Sequence, residues 1–236
     1  MSEHYTYIWV DVLCVVFPFI FSFHPKIGFS KQWKYFLTPW LVTALFFVVW
    51  DIFFTSINVW WFDSRYVIGM WWQGMPVEEY LFFLCIPYSC VFTYHVLTSL
   101  LKVDFTKWEQ KAKAFTIYVL IPVLVIVGTI YHNRYYTFST AILLAIALII
   151  AVLVRFKYFA QFYFSYSILL IPFTISNGVL TGSFLGRVVV HYNNTHNLGI
   201  RMLTIPVEDI FYGMLLIFMT VLQMEYRKSL VVKSGR

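Results

Sequence analysis

Long apolar runs alternate along the chain with short stretches that hold nearly all of its charge, and the runs have the length of membrane-crossing helices, roughly 17 to 25 residues. Seven stand out, at residues 7–23, 36–56, 77–101, 114–131, 137–154, 159–179 and 206–224. The pattern predicts an all-α integral membrane protein with about seven transmembrane helices. Only residues 132–136 separate the fourth run from the fifth, and a re-entrant pair of half-spans would leave the same trace. Of the 236 residues, 61% are hydrophobic and 12% charged, a ratio well above that of a soluble domain. A water-soluble globule and a disordered chain are both excluded on that ground.

The net charge of +6 would suggest a nucleic-acid partner for a soluble chain; here the distribution of the charge sets the topology instead. Thirteen of the seventeen Lys and Arg residues fall in the tail and in the connections after the first, third and fifth runs. Arg65, Arg134, Arg187 and Arg201 lie on the other side. By the positive-inside rule the tail is cytoplasmic and the amino terminus outside, in a bacterial inner or cell membrane. The first run has no basic residue before it and no small-residue cleavage site, so it reads as a retained span and not a signal peptide. Cys14, Cys85 and Cys90 all fall inside apolar runs. Their odd number and the lack of CxxC spacing predict neither a disulfide framework nor a zinc site.

Pro76-Val77-Glu78-Glu79 opens the third run, and Pro206-Val207-Glu208-Asp209 opens the seventh. Upstream of each lies a run that ends in polar residues, Asp51 and Thr55 in one, Asn177 and Thr181 in the other, followed by a loop rich in Trp, Tyr and Arg. The two stretches read as copies, 1–105 and 137–236, joined by a connecting span and loops over 106–136. A displacement of four spans is even, so the repeats share one orientation and both acidic pairs lie in the same, outer leaflet.

Proline at the first helical position and an acid in the first turn also have a plain reading as a favourable helix start. Four carboxyls gathered in one leaflet go beyond it. All ionised, they would repel, and taking charge out of water is costly, so at least one is expected to be a proton donor near neutral pH. Glu78, Glu79, Glu208 and Asp209 are therefore the candidate catalytic residues. Asp51 lies roughly 7 to 8 Å below the outer end of its span at 1.5 Å per residue. With Asn177 and Thr181 in the matching span, it is a candidate for substrate binding. Asp11 reads as an interfacial acid that reaches water. Trp71 and Trp72 fit an interfacial belt, or the wall of a site that handles a cation, because aromatic faces stabilise positive charge. Arg65, Arg187 and Arg201 are candidate ion-pair partners for the acids; His191 and Tyr192 read as interfacial.

With these motifs the sequence resembles the membrane-integral lycopene cyclases of the bacterial heterodimeric and the fungal or archaeal fused type. Their small repeats of about three spans each carry Pro-x-Glu-(Glu/Asp) at a helix start, and two repeats in one chain look like the fused form. The resemblance covers essentially the whole chain. It implies an intramolecular lyase, or isomerase, that converts the ψ end groups of lycopene to β-ionone rings through a carbocation. The product would be β-carotene by way of γ-carotene, without net redox change. It also implies Glu78 and Glu208 as leading acid and base, with Glu79 and Asp209 setting their protonation states and the order of the two left open. The implied substrate is lycopene or a related linear carotenoid, reaching the site laterally from the lipid bilayer. Neither metal nor cofactor is implied, since no DDxxD pattern is present and no GxGxxG follows a strand. One-end or two-end action, the ring type, homo-oligomerisation and association with other carotenoid enzymes stay open.

The main rival is a proton-coupled transporter, in which same-side carboxyls would relay protons between duplicated halves. Against it, the acids stand at helix mouths and not at the midplane. A retinal-type pump would need a Schiff-base lysine, which the seventh run lacks. A purely structural subunit would leave the matched acidic pairs without a role.

Overall fold

A computed structural model describes residues 3–101 and 103–234, with side chains as far as residue 231. Of the basic residues counted above, Lys102, Arg236 and the side chain of Lys233 lie outside the described residues. Seven helices are long and apolar enough to cross a membrane. The helical elements are α1 (Thr6–Phe21), α2 (Trp33–Ser56), α3 (Val77–Leu100), α4 (Thr106–Phe115), α5 (Ile121–Ile130), α6 (Tyr135–Leu153), α7 (Phe159–Thr181) and α8 (Val207–Ser234). A π-helical turn over Thr116–Leu120 joins α4 to α5 in one continuous span. That span starts at Thr106 and not at 114, because the polar segment before the apolar run is itself helical. Its Glu109 carboxylate accepts the N–H groups of Phe159 and Ala160 at 3.1 and 2.9 Å, satisfying orphan donors at the start of α7. The fourth and fifth spans are full helices packed on one another, not re-entrant halves.

The helices pair by the same rule in each repeat and then lock across it. Helix α1 packs on α3 as α6 packs on α8; α2 packs on α8, and α7 on α3. The second helix of each repeat therefore lies against the third helix of the other, so the acid-bearing helices are held from both sides.

All of the strands stand at the end of the bundle where α3 and α8 begin. Strand β1 (Trp60–Phe62) opens the first loop and pairs antiparallel with β4 (Val190–Tyr192) of the second, centred on Trp61 opposite His191. In the register that aligns Pro76 with Pro206, Trp61 falls on His191. Their rings stack at 5.4 Å and 4°, so an approximate twofold axis passes through this pair. Hairpin β2 (Trp71–Trp72) with β3 (Met75–Pro76) leads into α3, and β5 (Arg201–Met202) with β6 (Ile205–Pro206) leads into α8. Gly69 and Gly199, equivalent in the repeat, take φ of 89° and 72°, a region that side chains with a Cβ avoid. The Val77 N–H then bonds the Met70 carbonyl at 2.9 Å, and the Val207 N–H bonds that of Ile200 at 3.0 Å. Pro76 is the last residue of its hairpin, extended at φ −71° and ψ 154°, and helix α3 starts one residue later. Its missing N–H is harmless at this edge position as well.

Candidate active site

Adjacent helical residues point about 100° apart at 3.6 residues per turn, so only one acid of each pair can face inward. In both repeats it is the second. Glu79 and Asp209 line one cavity of about 470 Å³ enclosed by residues of both halves. Trp60, Phe82, Tyr212, Leu169 and Ile217 supply much of its wall. On α3 the lining runs from Glu79 to Thr93, about 21 Å at 1.5 Å per residue. Leu13 of α1 and Ile175 of α7 belong to the lining yet stay 58% and 56% exposed. The cavity thus opens between α1 and α7 onto the apolar flank of the bundle.

In the first repeat the Tyr7 hydroxyl donates to Glu79 Oε2 at 2.5 Å. Asp51, carried by α2 and 2% exposed, lines the same cavity with its carboxyl in hydrogen-bonding reach of that of Glu79. Its Oδ2 is buried with no partner. In the second repeat Asp209 accepts three bonds: from the Tyr136 hydroxyl at 2.6 Å, the Asn177 amide at 2.9 Å and the Tyr192 hydroxyl at 2.9 Å. Burial, and then the Asp209 carboxyl beside it, hold the Tyr192 phenol well above its usual pKa, so it remains a donor. Tyr212, one turn beyond Asp209, directs a buried hydroxyl that has no partner into the same region. Its ring meets those of Phe47 and Trp50 at 4.9 and 5.0 Å.

Glu78 and Glu208, expected to lead, do not line the cavity. Glu78 Oε1 accepts the Ile68 N–H at 2.7 Å. Glu208 Oε1 accepts the Leu198 N–H at 2.7 Å and the Thr137 hydroxyl at 2.6 Å. Each ties its helix to the segment just before its own hairpin. Trp71 and Trp72 stand 42% and 63% exposed on the first hairpin, outside the lining, and the indole in the cavity wall is that of Trp60. Thr181 is buried beneath the mouth, bonded to the Asn177 carbonyl at 2.8 Å and the Thr204 hydroxyl at 2.6 Å.

Three further expectations are corrected. Asp11 does not reach water: it is 1% exposed and both of its carboxylate oxygens lack a partner, because it shares the inward face of α1 with Tyr7 one turn away. The arginines do not pair with the motif acids. Arg65 binds Asp63 at 2.6 Å, Arg187 binds Glu3 at 3.1 Å and Arg201 donates to Asn194 at 2.6 Å. Tyr192 is a cavity residue and not an interfacial one, because the β1–β4 pairing turns it over Asp209.

Tyr7, Tyr136 and Tyr212 are not singled out by the sequence, and Trp60, which fits an interfacial belt there with Trp61, Trp71 and Trp72, lines the cavity instead. The two phenols carried a usable signal, since each opens the first helix of its repeat at a matching place ahead of its acid. Among the described residues no group of three or more His, Cys, Asp or Glu side chains is arranged to hold a metal ion.

A family model described as lycopene cyclase matches the chain in two stretches, residues 4–97 and 133–227. No curated protein and no solved structure matches it. The matched stretches take in both acid-bearing helices and leave out most of the α4–α5 connection; over most of its length, therefore, the chain belongs to the lycopene cyclase family, membrane enzymes of carotenoid cyclisation.

Proposed function

We propose that the protein is a lycopene β-cyclase, closing ψ end groups to β-ionone rings and forming β-carotene by way of γ-carotene with no net redox change. The observation that carries this reading is the meeting of Glu79 and Asp209, one from each repeat, in a single apolar cavity with aromatic walls. In the reaction an acid protonates C2 of the terminal double bond and leaves a tertiary cation at C1. The C5=C6 double bond attacks it, the C1–C6 bond forms and the cation moves to C5. A base then removes the C6 proton, and the ring alkene forms between C5 and C6. One proton enters and one leaves, so the product is an isomer.

Glu79 and Asp209 are the carboxyls available for these two steps. The faces of Trp60 and Tyr212 stabilise the cation without offering it a nucleophile, and the enclosed site keeps out the water that would trap it. Asp51 and Asn177 orient the two acids, and Thr181 steadies Asn177. Glu78 and Glu208 fix the helix starts, while Trp71 and Trp72 anchor the first hairpin at the interface. The end group reaches the acids through the opening between α1 and α7, with the polyene lying along the cavity. Because both repeats build one cavity, the two ends of the carotenoid are cyclised in separate binding events. The hairpin end, with its four arginines, faces outside, and the lysine-rich end faces the cytoplasm.

The test is pigment chromatography after expression in a bacterial host engineered to accumulate lycopene. Conversion to β-carotene is the expected result. Unchanged lycopene, with the protein present in the membrane, would overturn the reading.

A further inference from the structure

The two cavity acids have different neighbours, and the difference bears on which of them gives the proton and which takes it. An ionised carboxylate only accepts hydrogen bonds, whereas a protonated one has an O–H to donate. Asp209 meets three neutral donors, two phenols and one amide, a shell that matches the ionised form. Glu79 meets one phenol and a second carboxyl, that of Asp51. Two carboxyls in hydrogen-bonding reach can bond to each other only if one of them carries a proton. Among the described residues no cation pairs with either carboxyl to hold both of them ionised. The ion pairs among the described residues join Asp63 to Arg65 and His191, Glu3 to Arg187, and Glu225 to Lys228, and none involves Asp51, Glu79 or Asp209. The Asp51 Oδ2 that lacks a partner is buried at the same cavity.

We propose that Asp51 and Glu79 share the proton that starts cyclisation, with Glu79 delivering it, and that Asp209 is the base that ends it. This rests on the cyclase reading and deepens it: Asp51 becomes a positioning residue that keeps the donor protonated. In the step itself, the Glu79 O–H bond breaks as a C–H bond forms at C2, and the electron pair of the O–H bond stays on Glu79. Later the C6–H bond breaks, its proton passes to Asp209, and its electron pair becomes the ring alkene. The proton thus crosses the cavity by way of the substrate, from the first repeat to the second.

The experiment follows lycopene in deuterated water with membranes holding the wild-type chain, Asp51→Asn, Glu79→Gln or Asp209→Asn. Mass spectrometry reads deuterium in the product and in the recovered lycopene. The wild type should yield rings carrying solvent deuterium. Asp51→Asn and Glu79→Gln should lower ring formation by about 100-fold or more and return unlabelled lycopene, because protonation itself is lost. Asp209→Asn should also stop ring formation, but the cation still forms and reverts by giving a proton back to Glu79, so the recovered lycopene gains deuterium at its end groups. Asp51→Glu retains the carboxyl and should restore ring formation. Deuterium in lycopene recovered from Asp51→Asn or Glu79→Gln, or none from Asp209→Asn, would overturn the assignment while the wild type still cyclises. If Asp51→Asn does not insert stably, Glu79→Gln against Asp209→Asn decides the same question. Failure of the wild type to make rings would overturn the cyclase reading instead.

Discussion

In the first repeat Glu79 meets one phenol and one carboxyl; in the second, Asp209 meets two phenols and one amide. Beneath these contacts the halves share the hairpin, the positive-φ glycine, the proline, the first acid bonded to a backbone N–H and the phenol sent in from the repeat's first helix. Among the side chains that touch the two acids, two set the halves apart. Asp51 stands where the second repeat has Asn177, and Phe62 falls on Tyr192 in the repeat register. Exchanging an oxygen for an NH₂ turns an acceptor into a donor, and adding one hydroxyl supplies a third bond. A duplicated frame thus holds two acids alike while giving them different neighbours, the basis of the opposite tasks proposed for them.

The comparison breaks most severely if the poles are exchanged. Combining Asp51→Asn with Asn177→Asp moves the extra carboxyl to the side of Asp209, and should lower ring formation by about 10² to 10⁴, the usual worth of a placed acid or base. Pigment chromatography measures it, and activity close to wild type would mean that the poles are interchangeable. Next in size are the phenols of the second repeat. Tyr136→Phe and Tyr192→Phe each strip one donor from a buried acceptor, a loss of about 1 to 3 kcal/mol that should appear in kcat for the purified enzyme. Tyr7→Phe should cost less, since Glu79 acts by its proton and needs fewer donors; an equal loss would blur the distinction between the two halves.

Smaller effects concern stability and not chemistry. Glu208→Ala leaves the Leu198 N–H and the Thr137 hydroxyl without their acceptor, and Glu78→Ala leaves only the Ile68 N–H. Both variants should melt at lower temperature in detergent, Glu208→Ala more so, while ring formation per folded enzyme stays within several-fold. The smallest difference is expected at the outer turns, where Asp63 and Asn193 are again equivalent. Each accepts the N–H two residues on, from Arg65 and Thr195. The Arg65 guanidinium bonded to Asp63 holds its carboxyl below the usual range. Its contribution is therefore complete above the ordinary carboxylate pKa and disappears as the pH falls through the depressed one. Asp63→Asn should be slightly less stable than wild type at neutral pH, with the gap closing in acid, as read by thermal melts across pH. Asn193 carries no such charge, so Asn193→Ala should show no pH dependence of this kind.

Span number, the repeat and its acidic motifs were legible because each is written in consecutive residues or in a matched spacing. The choice within each pair was not. Helices α3 and α8 are apolar on nearly every face, as membrane spans are, so no polar stripe in the sequence marks which way Glu78 or Glu79 turns. The segment just before each hairpin decides it, by presenting the Ile68 and Leu198 N–H groups to the first acid. Tyr192 was hidden for a different reason: its position over Asp209 follows from β1 pairing with β4 across the repeats, a contact that no local pattern announces. Asp51 and Asn177 were found because they break apolar runs at equivalent depth, and Asp11 was misjudged because depth alone does not reveal which neighbours surround a side chain.

The stacked Trp61 and His191 rings mark an axis that has a history. If one repeat once acted alone, two identical copies would have met about that axis, and the cavity would have held two equal acids with equal partners. Such a pair cannot tell donor from acceptor, and would start a cyclisation as readily from either side. Once the two halves are written separately, in one chain or in two, one can keep its aspartate and the other take an asparagine. Divergence of the two halves, and not their number, is what lets one cavity hold two unequal acids.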